Sequence, residues 1–143
     1  MKTKFSELLK VKKQKLSEVE RALAQKRHER AQLVEQSAQI RLRIETFSPP
    51  KSGDYRQMRM ALHSKEYLFK EKERNTNMIK YYDQEIEALQ RLYKEANIDF
   101  EKISHLHTLE VEQRLKERMR REAKDMDEIA GQLFFLERMK ETD

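Results

Sequence analysis

One stripe organises the apolar residues in the first third of the chain. From Phe5, alternating steps of four and three residues reach Leu9, Lys12, Leu16, Val19, Leu23, Lys26, Arg30, Leu33, Ser37, Ile40, Ile44 and Phe47. Nine of these thirteen positions are apolar. A repeat of about 3.5 residues marks a helix that supercoils around a partner. Ser48-Pro49-Pro50-Lys51-Ser52-Gly53-Asp54 then breaks the pattern with both prolines and one of the two glycines. A residue before proline is pushed out of the helical region, so the first helix must stop there. The pattern predicts helix one over about residues 3–47, some 70 Å at about 1.5 Å per residue. A turn at 48–54 follows, then helix two over about 54–140, with Asp54 as N-cap and Gln57 three residues on.

The second stripe is strongest at Ile79, Tyr82, Ile86, Leu89, Tyr93, Ala96, Phe100 and Ile103, all apolar. A short connection favours antiparallel neighbours. The expected class is all-α: two long helices forming an antiparallel coiled-coil hairpin, the second overhanging, in a single elongated domain over residues 1–143. A dimer of parallel chains also fits the pattern. With the turn centred near residue 51, Phe47 faces Tyr55, Ile40 faces Leu62, and Phe5 falls near Tyr93–Phe100. Lys26, Arg30 and Ser37 then lie at one polar level with Lys65, Lys72 and Asn75. Such residues either fix register, their cations reaching Glu29, Glu71 or Glu73, or make a soft joint. Leucine at position 26 or 30 is expected to stabilise the seam.

Helix two outruns its partner in this register. Beyond Ile103 the seam continues through His107, Glu110, Arg114, Glu117 and Arg121, none apolar, so a register change is expected near 104–110. A new stripe starts at Leu115 and runs through Met119, Met126, Ile129, Leu133 and Leu136. An exposed stripe of that kind calls for a partner. Gly131 predicts a kink or fray near the end.

Composition agrees with a coiled coil. Ala, Glu, Lys, Leu and Arg supply 75 of 143 residues, and charged residues (40%) outnumber hydrophobic ones (37%), which leaves enough apolar surface for a seam but little for a broad core. The chain has no cysteine, which removes disulfides and thiolate metal sites. The N-terminus lacks the apolar stretch of a secretory signal, and the longest apolar run is Leu133-Phe134-Phe135-Leu136, so a cytosolic protein without membrane insertion is expected. The net charge of +5 is concentrated early: Lys2 to Lys15 holds six lysines and one acid, Glu7. Cations at a helix start oppose its dipole, so this segment is either a solvated basic end or a tip for an acidic partner.

No catalytic constellation emerges. His105 and His107 lie on different helix faces, His28 and His63 are isolated, and two glycines cannot build a phosphate loop. Glu122, Asp125 and Glu128 share a face, but Arg118, Arg121 and Lys124 stand four residues before them, which reads as an ion-pair ladder rather than a metal site. The base precedes the acid, the poorer order for helix support, so presenting charge to a partner stays open. Interleaved acids and seam-bound aromatics argue against nucleic-acid binding despite a pI near 9.3. No enzyme activity and no cofactor are expected. The alternatives are a stand-alone coiled-coil scaffold or homodimeric adaptor, and a basic nucleic-acid-associated protein.

The stretch Arg118-Met119-Arg120-Arg121-Glu122-Ala123-Lys124-Asp125-Met126-Asp127-Glu128-Ile129-Ala130 resembles the C-terminal region of the FliJ/YscO family of type III secretion stalk proteins. The core of the match is Lys124-Asp125-Met126-Asp127-Glu128-Ile129-Ala130. Length, a basic start, one mid-chain breaker and unequal helices extend the likeness over most of the chain, while Gly131 departs from it. The resemblance implies a cytoplasmic stalk or chaperone component of the flagellar or virulence export apparatus, peripherally associated with the membrane. Its implied partners are a hexameric export ATPase, the cytosolic domain of the membrane export gate protein, and escort chaperones of exported subunits. Expected ATPase-contacting residues are Lys4, Lys12, Lys13, Arg118, Arg121, Lys124, Met126, Asp127 and Glu128. Expected gate-contacting residues are Leu62, Tyr67, Leu68 and Phe69, early in helix two; one partner helix cannot bury both Leu68 and Phe69.

Overall fold

A computed structural model of the protein describes residues 1–49 and 53–142. Two long helices, α1 (Ser6–Glu45) and α2 (Tyr55–Thr142), pack against each other, and no strand occurs among the described residues. Pro50, Lys51 and Ser52 of the interrupting segment lie outside the described residues. Asp54 caps α2, its Oδ1 accepting from the Gln57 backbone N–H at 3.0 Å. At α1 the cap is Thr3, which the pattern does not reveal. Its Oγ1 accepts from the Phe5 N–H at 3.1 Å, and its own N–H donates to Ser6 Oγ at 2.8 Å. This reciprocal arrangement satisfies donors that a helix start leaves unpaired. At the far end Phe47 N–H bonds Ile44 O at 3.3 Å, a tightened last turn before Pro49.

The contacts fall into two units: residues 14–97, and residues 1–13 with α2 from Ile98 onward. Within residues 14–97, Val19, Leu23, Ile40 and Ala96 are buried. Leu16, Leu33, Ile44, Phe47, Leu68, Ile79, Tyr82, Ile86, Leu89 and Tyr93 are half-buried beside them. All thirteen positions of the first stripe, Phe5 to Phe47, are buried or half-buried. A 3.5-residue repeat keeps one face of a helix turned to its neighbour, which explains this regularity.

The register differs from the one expected. Lys26 pairs with Glu85, Arg30 with Asp83, and the Lys65 ammonium lies 5.8 Å from the Phe47 ring centre. Each lies about two and a half to three turns further along α2 than a tight turn at residue 51 requires. α2 therefore starts before the α1 partner does, and from Tyr55 to Tyr67 only Ala61 is half-buried. Leu62, expected opposite Ile40, is exposed; Ala61 occupies the seam instead.

In the other unit the same shift puts the N-terminal residues beyond Ile103, where no partner was expected. Thr3 Oγ1 hydrogen-bonds His107 Nδ1 at 2.8 Å, Arg114 Nη1 donates to the Lys2 carbonyl at 2.6 Å, and Lys12 lies 3.7 Å from Asp99. The polar seam positions His107 and Arg114 thus serve polar groups of the chain's start. From Glu112 to Glu141 every residue is exposed, and the helix passes through Gly131 without a break.

Burial ranks the expected costs. Leu23→Ala should lower hairpin stability by about 2–3 kcal/mol. Leu16→Ala and Ile86→Ala, at half-buried positions, should cost less, and Met119→Ala should stay within about 0.5 kcal/mol. Thermal melts followed by circular dichroism would check the order. A Met119→Ala loss as large as that of Leu23→Ala would contradict it.

Candidate functional site

The polar level in residues 14–97 is a connected cluster, and its members come from opposite helices. Lys26 Nζ sits 3.0 Å from Glu85 Oε2 across the seam and 3.7 Å from Glu29 on its own helix. The same ammonium stands 5.3 Å from the Tyr82 ring centre, within cation–π range. Tyr81 donates to Glu85 Oε1 at 2.6 Å, Gln25 donates to Glu29 at 3.1 Å, and Arg30 bonds Asp83. Glu71 and Glu73, considered as partners for these cations, are not the ones used. The opposite level is Tyr82 and Glu85, because the register has moved.

Electrostatics follow the contacts. The adjacent Glu85 carboxylate raises the pKa of Lys26. Tyr81 and then Lys26 lower that of Glu85, while Gln25 leads the lowering of Glu29. Burial, then Glu29, raises Tyr82; hydrogen bonding to Glu85 raises Tyr81. The acids and the base are therefore held charged, and the phenols neutral, near neutral pH. Fixed charge at a seam sets register.

The expected contact residues at the chain's ends occupy different settings. Lys4 is exposed and lies 5.2 Å from the Phe5 ring centre; Lys13 is exposed, whereas Lys12 is half-buried against Asp99. Arg118, Arg121, Lys124, Met126, Asp127 and Glu128 are all exposed on α2. Of the expected ladder, Arg118–Glu122 closes at 3.6 Å; no ion pair joins Arg121 to Asp125 or Lys124 to Glu128. Those charges are open to solvent, beside Leu115, Met119, Met126, Ile129 and Leu133, which are each 43–70% exposed. Met1 borders Arg114, Glu117, Arg118 and Arg121, bringing the chain's start to the root of this segment.

Early α2 leaves apolar side chains exposed on both sides of the seam. Leu62, Tyr67 and Phe69 are exposed, with Tyr55, Met58 and Met60 before them, while Leu68 is half-buried in the seam. Tyr67 is steadied by a 3.2 Å hydrogen bond to Glu71. The delayed seam explains why so many apolar side chains remain uncovered here, and the sequence alone hid this because the register set the seam too early.

These features define an all-α coiled-coil hairpin whose chemistry lies along helix faces. No described helix is long and apolar enough to cross a membrane. The family model described as Flagellar FliJ protein matches residues 1–139, and the chain belongs to that family. It is accordingly a structural, chaperone-type component of the flagellar export apparatus. No curated protein and no solved structure matches the chain.

The polar level yields a prediction about both mutation and pH. Lys26→Leu alone strands Glu85 beside an apolar side chain and should destabilise the hairpin, contrary to the simple expectation for a polar seam residue. Lys26→Leu with Glu85→Leu should raise the melting temperature while relaxing register. Because the folded pKa values of Glu29 and Glu85 lie below 4.5, their contribution holds above that pH and is lost as pH falls through the lowered values. Lys26 is raised above 10.5, so its contribution holds below that pH and is lost as pH rises through the raised value. Melting temperatures across pH should show a plateau between those limits. A single-mutant melt above wild type would refute the ion-pair account.

Proposed function

We propose that the protein acts as a stalk for the ATPase of the flagellar export apparatus, with the α2 tail entering the hexameric ring. The observation that carries this reading is the exposed stripe Leu115, Met119, Met126, Ile129 and Leu133, flanked by open charges at Arg121, Lys124, Asp127 and Glu128. A ring pore lined by apolar and complementary charged groups satisfies both, while the basic residues Lys4 and Lys13 add positive charge at the chain's start. Lys12, tied to Asp99, contributes by holding the N-terminal segment rather than by direct contact. Family membership supports the setting. Escort chaperones of exported subunits belong to the same reading, as does a cytoplasmic location beside the membrane.

Early α2 is assigned to the cytosolic domain of the export gate. Exposed Leu62, Tyr67 and Phe69 supply the apolar anchors, and half-buried Leu68 fixes the turn that presents them. Aromatic residues that keep a polar handle, as Tyr67 does through Glu71, are suited to contact surfaces.

Two measurements separate these contacts. Deleting residues 115–143 should abolish ATPase binding and stimulation while residues 14–97 remain folded by circular dichroism. Undiminished stimulation of ATPase assembly by the truncated protein would reject the tail as the contact. Tyr67→Ala with Phe69→Ala should weaken capture of the gate's cytosolic domain at least tenfold and leave ATPase binding intact. Equal gate capture would remove early α2 from the account.

A further inference from the structure

We propose that the α2 tail pairs antiparallel with the same tail of a second copy of this chain. The stripe Leu115, Met119, Glu122, Met126, Ile129, Leu133 and Leu136 alternates steps of four and three residues, the spacing of a coiled-coil seam. Its apolar members are exposed. The chain's start lies mainly to one side of the stripe: Arg114 bonds the Lys2 carbonyl, and Met1 borders Glu117 and Arg121, reaching only Arg118 at the stripe's margin. At about 100° per residue, Met119 lies nearly opposite Glu117 and Arg121. A second copy therefore reaches the stripe without displacing the N-terminal segment.

Charge chooses the orientation. In a parallel pair, Glu122 of one copy meets Glu122 of the other inside the seam. In an antiparallel pair centred between Asp127 and Glu128, Met119 faces Leu136, Met126 faces Ile129, and Glu122 faces Leu133. Arg118 already holds Glu122 at 3.6 Å, drawing that carboxylate to the edge. At one margin Lys116 of each copy stands beside Glu137 of the other, and neither residue has an ion pair within its own chain. Ala123 comes next to Ala130 on the same margin, where small side chains permit close approach. The other margin sets Asp125 beside Gln132, with no like charges opposed.

The paired stripe is the one assigned above to the ATPase ring, so on that reading a paired tail is withheld from the ring. Self-pairing is tested on the purified full-length chain alone, and its outcome is independent of ATPase binding. Sedimentation equilibrium over a concentration series should show the mass rising from 17.4 kDa toward twice that value. Met126→Glu should hold the single-chain mass at every concentration, with helicity and melting equal to those of the wild type at dilutions where the wild type is a single copy. Lys116→Glu should weaken association, and Lys116→Glu combined with Glu137→Lys should restore it. A single-chain mass for the wild type throughout, association untouched by Met126→Glu, or no rescue by the charge exchange would each overturn the proposal.

Discussion

Two helices can cover only one stripe of each other, and that constraint governs this protein. Among the described residues only Val19, Leu23, Ile40 and Ala96 are buried, so apolar packing is spread thinly along the seam. Most described residues off the stripe face solvent, and 40% of the chain is charged. The pockets along the described residues are open grooves between or beside the helices, such as the one lined by Glu20, Leu23, Arg27 and Tyr93. The chain's resources are the faces it leaves uncovered and the points where polar groups interrupt the seam.

The interruption at Lys26 and Glu85 complements the apolar layers. Apolar layers tolerate a slip by one heptad, because the pattern repeats; a cation that must meet one carboxylate does not. Tyr82 and Tyr81 surround the pair with ring and hydroxyl contacts, which gives the level more specificity than a lone surface ion pair. Register in turn decides what is exposed. With Ala61 half-buried on the seam, Leu62 is left outside, and Tyr67 and Phe69 stand exposed on either side of half-buried Leu68.

The helices and their packing were legible because α1 repeats so regularly: each stripe position read from the sequence faces the seam. The exposed stripe from Leu115 was legible for the same reason. Register was not. Heptad patterns match themselves at every seventh residue, and Lys65, Lys72 and Asn75 made as plausible a polar level as Tyr82 and Glu85. The sequence also hid the role of residues 2 and 3, since Thr3 caps α1 and binds His107 through hydroxyl geometry that no periodicity records. The residues expected to contact export partners rest on resemblance and on the exposed stripe with its charges; among them Lys12 lies against Asp99, while Lys4, Lys13 and the charges of the tail are exposed.

A covered seam gives way to an exposed helix beyond Val111. Amide hydrogen exchange on the dilute full-length chain measures this directly, segment by segment. A helix without a packed face opens locally, because most helical stability in proteins comes from packing, whereas a packed one opens with its partner. Slow exchange is predicted through residues 16–44 and 75–103, intermediate exchange around His107, and fast exchange from residue 115 to the end. Protection beyond residue 115 equal to that of the seam, at concentrations where the chain is a single copy, would contradict the account.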